Sequence, residues 1–128
     1  MANILIVDDE QSYRQLLGLV FEEEGHSIRT AMNGRQALDH LKEEPAEVIV
    51  SDVKMPDMDG IELLRELRTS SPDIGVVLMT AFASVETARD AFKLGADDFI
   101  QKPFDVEELK RTIRKLLQDL EKAAEAKR

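Results

Sequence analysis

Short aliphatic runs alternate along the chain with longer stretches whose apolar residues recur every three or four positions. Ile4–Val7 is the first run and stops abruptly at Asp8-Asp9. Tyr13, Leu16, Leu17, Val20 and Phe21 then follow a helical period, and Gly25 supplies a C-terminal stop. Ser27–Ala31 reads as a short strand with Ile28 as its only strong apolar residue. Ala37, Leu38 and Leu41 mark a second helix that ends before Pro45, and Val48–Val50 is the next buried strand. Ile61, Leu63, Leu64 and Leu67 predict a third helix after Gly60. Ile74–Met79 predicts a strand in which Gly75 is a weak point, since glycine brings no side chain to pack. Ser84–Leu94 is a fourth helix ended by Gly95, and Asp98–Gln101 a fifth strand. Asp105 and Glu108 have the spacing of a capping box that opens a long final helix.

Strand-then-helix alternation predicts an α/β fold, a doubly wound parallel sheet with helices on both faces. The first, third and fourth strands are nearly continuous aliphatic runs, the signature of strands covered on both sides. The second and fifth are more polar and belong at the edges. Spatial order 2-1-3-4-5 satisfies this with right-handed crossovers. It also places the ends of strands one and three beside the topological switch point, where such sheets bind ligands.

Composition narrows the picture. A length of 128 residues suits one domain, and 43% hydrophobic residues suffice for a core that, without Trp, must be largely aliphatic. Formal net charge is -9, from 26 acids and 17 bases. Nucleic-acid affinity depends on neutralising phosphates with Lys and Arg, so direct nucleic-acid binding is not expected. No cysteine is present, which excludes disulfides and thiolate chemistry. No segment approaches the roughly 20 apolar residues of a membrane span. The N-terminal residues lack the basic start of a signal peptide, so a cytoplasmic location is expected.

The candidate chemistry sits at strand ends. Asp8-Asp9 follows the first strand, Asp52 the third, Thr80 the fourth and Lys102 the fifth. One Asp before a helix is explained as a cap, but two in a row are not needed for that. Carboxylates about 5 Å apart repel by roughly 3 kcal/mol at an effective dielectric near 20. A hard divalent cation relieves this, and magnesium suits one or two carboxylates, waters and phosphate oxygens. Nothing resembles a twelve-residue calcium loop. Asp52 is then a candidate nucleophile able to form an aspartyl phosphate. Pro56 and Gly60 in Met-Pro-Asp-Met-Asp-Gly form a stiff loop beside it. The Thr80 hydroxyl is a donor for a phosphoryl oxygen, Ala81 leaves the phosphate uncrowded, and Lys102 is a counter-charge. Taken singly, each residue has a plainer reading: a strand-end polar group, a β-branched strand residue, a solvated lysine.

The set Asp8-Asp9, Asp52, Thr80 and Lys102-Pro103 resembles the receiver domain of two-component response regulators, over residues 1–120. Met79–Ala88 and Lys93–Phe99 resemble its NtrC-like subfamily. The resemblance implies a flavodoxin-like (βα)5 fold and a Mg2+ cofactor. It implies that Asp52 accepts a phosphoryl group from a sensor histidine kinase. Asp9 would be a direct metal ligand, Asp8 a support through water, and the Lys54 carbonyl a further ligand. Thr80 and Lys102 would be the phosphate-binding pair, and Thr80 with Phe99 the switch. Lys102-Pro103 becomes a candidate cis bond. A switch that assists its own phosphorylation, not a turnover enzyme, is the implied function, with transcription controlled through an output domain not seen in this segment. The alternative is a stand-alone or pseudo-receiver interaction module. A magnesium-dependent phosphohydrolase is less well matched. Its usual motif has a second Asp two residues after the nucleophile, where Lys54 stands here.

Leu109, Ile113, Leu116, Leu120 and Ala123 alternate spacings of four and three, a heptad seam. Two readings stay open. In one, Leu109–Leu117 covers the sheet and the rest is a charged end. In the other, the final helix, with residues 121–128 as an extension, is a coiled-coil linker. A homodimer is expected through that helix or through the face of the fourth helix, fifth strand and fifth helix.

Overall fold

Residues 2–127 are described by a computed structural model. Strands β1 (Asn3–Val7), β2 (Ser27–Ala31), β3 (Val48–Asp52), β4 (Gly75–Thr80) and β5 (Asp98–Gln101) form one sheet. All pairings are parallel and the order is β2-β1-β3-β4-β5, as the polarity of the strands predicts. Helices α1 (Gln11–Glu23), α2 (Gly34–Glu43), α3 (Gly60–Ser70), α4 (Val85–Lys93) and α5 (Val106–Ala126) cover it. The architecture is the flavodoxin-like (βα)5 fold. Among the described residues no helix is long and apolar enough to cross a membrane.

Side chains alternate faces along a strand, and the core divides accordingly. Leu5, Val7, Ile49, Val76 and Leu78 meet Leu63, Leu64 and Leu67 of α3 and Ala91 of α4. Ile4, Ile6, Val48, Val50, Val77 and Met79 meet Leu17 and Phe21 of α1 and Leu109, Ile113 and Leu116 of α5. That alternation sets up the site. Asp8 continues the row Ile4, Ile6; Asp52 continues Val48, Val50; and Lys102 continues Ile100. All three rows belong to the α1/α5 face.

Several local features differ from expectation. β3 runs through Ser51 and Asp52, so Asp52 is the last residue of a strand rather than the first after it. Leu16 is 43% exposed because the inward stripe of α1 is Leu17, Val20 and Phe21. Asp105 does cap α5, but its carboxylate accepts from the Glu107 N–H, not from the residue a capping box requires. The reciprocal capping box forms instead at Asp59 and Glu62, opening α3. Gly25 and Gly95 end their helices at φ of 92° and 100°, a region costly for other residues.

Gly75 is a close-approach point rather than only a weak one. A Cβ there would lie 3.0 Å from both Leu116 and Leu120. The first part of the heptad seam thus faces the domain's own core: Leu109, Ile113 and Leu116 are buried and Leu120 packs against them. At the end of α5 the exposed pair Lys127–Asp73 spans 3.1 Å. Arg128, the final residue of the expected extension, lies outside the described residues.

Candidate functional site

The residues that follow β1 and the last residue of β3 meet in one cleft. Ligand oxygens of Asp8, Asp9 and Asp52 all lie within 4.8 Å of one another. Asp8 is fully buried, Asp52 is 6% exposed, and Asp9 faces solvent. Lys102, 94 residues from Asp8 in sequence, donates to Asp8 Oδ2 at 2.7 Å. Its Nζ is 3.5 Å from Asp52 Oδ2. The Lys102-Pro103 bond is cis, as the resemblance implies. Asp8 is also tied down locally. Its Oδ1 accepts from the Glu10 N–H at 2.9 Å, and its carbonyl accepts from Arg14 at 2.6 Å.

Formally, the three carboxylates and one ammonium carry 1 − 3 = −2. Burial raises the Asp52 carboxyl above its ordinary value; Lys102 opposes the rise, and Asp8 and Asp9 add to it. Burial pulls the Lys102 ammonium down, but the hydrogen bond and charge of Asp8, then the charge of Asp52 and the neighbouring Tyr13 side chain, outweigh it. The net shift is upward and the lysine stays charged.

The loop after β3 is held against the nucleophile candidate by tight backbone packing. A Cβ on Gly60 would sit 2.4 Å from the Asp52 carbonyl oxygen and 2.9 Å from Val53 Cα, so only glycine fits. The Gly60 N–H donates to the Val53 carbonyl at 2.9 Å, and Val53 N–H donates to Met79 across the sheet at 2.9 Å. Asp57, between Pro56 and Gly60, takes a left-handed φ of 67°. Asp tolerates that region better than most residues.

Asp8, Asp9, Asp52 and Lys102 meet in this cleft. Thr80 is buried at the end of β4, but its hydroxyl accepts from the Phe82 N–H at 3.0 Å. It lines a groove between α3 and α4 with Lys54, Phe82 and Lys93. Its backbone is tied to that of the cleft lysine: the Lys102 N–H donates to the Thr80 carbonyl at 2.8 Å. By strand alternation Thr80 continues the row Val76, Leu78 on the α3/α4 face. Phe99 is half-buried opposite Leu78 and packs against the same cluster, so Thr80 and Phe99 share a face. Lys54 is exposed.

Tyr13 is a site neighbour that the periodicity assigns only to the core. Its ring centroid lies 3.8 Å from Lys102 Nζ. The usable signal is position, since Tyr13 lies in the first turn of the helix that opens just after Asp8-Asp9.

The donor set fits a hard divalent cation. Only oxygen ligands are offered, from three carboxylates, and exposed Asp9 leaves a side open to water, as Mg2+ requires.

Comparison with known proteins agrees with this geometry. The model of the response regulator receiver domain matches residues 4–114. Regulatory protein AtoC of Escherichia coli (strain K12) is 44% identical over 115 residues, which are 90% of this chain and 25% of AtoC. The chain thus spans about a quarter of the length of AtoC and of the transcriptional regulatory protein ZraR. Sporulation initiation phosphotransferase F of Bacillus subtilis (strain 168) is 40% identical over 114 residues, 89% of this chain and 92% of that protein. NtrX from Brucella abortus superposes with a TM-score of 0.93 at 32% identity, over 98% of this chain and 29% of NtrX. Chemotaxis protein CheY4 of Vibrio cholerae gives 0.86 at 33% identity, over 91% and 98%. The chain therefore belongs to the response regulator receiver domains of two-component signal transduction, on their NtrC-like branch.

Proposed function

We propose that this receiver domain is a phosphorylation-driven switch with Asp52 as phosphoacceptor. The observation that carries it is the clustering of Asp8, Asp9 and Asp52 within 4.8 Å of one another, with the buried Lys102 ammonium against Asp8 and Asp52. Asp52 is the candidate nucleophile because it alone of the three belongs to a buried strand, as the last residue of β3. The Lys102 charge favours its ionised, attacking form. An Asp52 carboxylate oxygen forms the new bond to phosphorus as the bond to the donor breaks. The family points to a phosphohistidine of a sensor histidine kinase as donor, whose imidazole leaves with the bonding electrons.

Asp8, Asp9, Asp52 and the Lys54 carbonyl would hold Mg2+, which when bound offsets the charge of the carboxylates and of the phosphoryl oxygens. Lys102 binds the arriving negative charge. Thr80, released from the Phe82 N–H, donates to it, and Phe99 on the same sheet face follows. The two arrangements are a population shift in which phosphorylation stabilises one. Residues 1–120 form the switching unit, with 121–128 leading out of it to an output domain that controls transcription. The homodimer forms through the α4-β5-α5 face or the end of α5.

A second reading is a stand-alone receiver. It is favoured by the match to sporulation initiation phosphotransferase F, 92% of which the shared region covers. Solution mass with and without beryllofluoride and magnesium separates them: a mass doubled by the mimic supports the dimerising switch, and an unchanged monomer supports the stand-alone module. The test of the acceptor is direct. Asp52→Asn abolishes incorporation of labelled phosphate from acetyl phosphate with magnesium; undiminished labelling places the acceptor elsewhere.

A further inference from the structure

We propose that Tyr13 is a positioning residue for Lys102, its ring forming a fixed wall that keeps the ammonium over the Asp8–Asp52 cleft. The inference rests on Asp52 being the phosphoacceptor. Lys102 Nζ has neighbours of two kinds, two carboxylates and one aromatic ring. Asp8 Oδ2 is at 2.7 Å, Asp52 Oδ2 at 3.5 Å, and the Tyr13 ring centroid at 3.8 Å. A lysine ammonium is a compact, strongly hydrated charge on a flexible stem. One hydrogen bond to Asp8 leaves it free to swing about that bond. The ring face attracts the cation through its quadrupole and keeps water from that side.

The ring is itself well anchored. Tyr13 is the third residue of α1, and its ring meets Phe104 at 6.1 Å between centroids, tilted 45°. That spacing lies within the range of favourable aromatic pairs. Phe104 follows Lys102 by two residues and packs against the α1/α5 core, so the wall and the lysine are tied to the same loop. The ring also differs from the two carboxylates in bearing no formal charge. It localises the ammonium without neutralising it, so the positive charge stays available to oxygens arriving at Asp52. It keeps doing so when the Asp8 carboxylate takes another partner.

The first test is NMR of the unphosphorylated full chain. The Lys102 ε-methylene protons resonate upfield of ordinary lysines through the ring current. They remain so in Tyr13→Phe and return to ordinary positions in Tyr13→Leu. The second is the initial rate of labelling by acetyl phosphate with magnesium. It falls roughly fivefold in Tyr13→Leu, as expected from a cation–π contact of this kind, and Tyr13→Phe restores it. In a Lys102→Ala background Tyr13→Leu causes no further fall, because its effect acts through the lysine. Ordinary Lys102 shifts in the unmodified protein overturn the proposal even if a variant does not fold. So does an undiminished rate in Tyr13→Leu, or the same fall without Lys102. If Asp52→Asn still loses labelling in those cases, only the role of Tyr13 is refuted. If Asp52→Asn labels normally, both readings are.

Discussion

Two cations at opposite ends of the same sheet are held in opposite ways. Arg68, in the last turn of α3, lies beside the start of β4. Its guanidinium donates five hydrogen bonds: two to the Gly95 carbonyl at 3.0 and 2.6 Å, and one each to Pro72, Ile74 and Asp97 at 3.1, 2.6 and 3.1 Å. Asp97 Oδ2 also accepts from the Val76 N–H at 2.8 Å. One planar fork thus ties α3, the turn after α4 and the start of β4 into a unit, with one carboxylate for one cation. Lys102, at the other end, is a point charge paired with two carboxylates, Asp8 and Asp52, and Asp9 stands beside those two. The difference separates anchorage from function. At the Arg68 end the donors and acceptors are matched and nothing further is needed. At the Lys102 end negative charge is left over, and its relief is available to a ligand from outside.

Lys102→Ala should have the largest effect on stability. Fully buried Asp8 loses its partner, and breaking a buried pair from one side costs about 3 kcal/mol. Urea denaturation in metal-free buffer at neutral pH measures it, and millimolar magnesium should restore a large part. A loss that magnesium leaves untouched would mean that charge does not govern this end. Arg68→Ala should cost less, about 2 kcal/mol, because surface water replaces several of its bonds. Its loss should be the same with and without magnesium, which is the sharpest contrast between the two ends.

Asp52→Asn should have the smallest effect, and in the opposite direction. Burial raises the Asp52 carboxyl in the folded protein. A raised carboxyl binds protons more tightly when folded, so stability falls as pH climbs from the ordinary carboxylate range through the raised value. Removing the charge should therefore raise Tm at neutral pH without metal. The gain should vanish in acid, where Asp52 is protonated in both states. Equal Tm values for the two proteins at neutral pH would show that Lys102 fully compensates Asp52.

Much of the fold and of the candidate site is legible in the order of residues. The 2-1-3-4-5 sheet follows from which strands are aliphatic throughout. Asp8, Asp52 and Lys102 are legible as site residues because each stands at the end of a strand, and alternation carries all three onto one face. The same rule, applied to Thr80, assigns it to the other face, where the structure has its hydroxyl accepting from Phe82. The final helix is ambiguous in sequence for a physical reason: a seam of leucines serves equally to cover a sheet or to join a partner. Gly75 decides for Leu116 and Leu120, since the missing side chain lets them approach to 3.0 Å of where a Cβ would be.

What the chain determines by itself is periodic: which residues face inward, where each element stops, and which polar groups stand at strand ends. Those features depend on neighbours one or two turns away, so a linear reading captures them. What only the tertiary structure decides is which side chains meet across long separations. The ring of Tyr13 beneath Lys102, the fork of Arg68 around Gly95, and Gly60 against the Asp52 carbonyl all arise when separate elements are brought into register. No local preference encodes them, because each is set by the packing of the whole sheet and its helices.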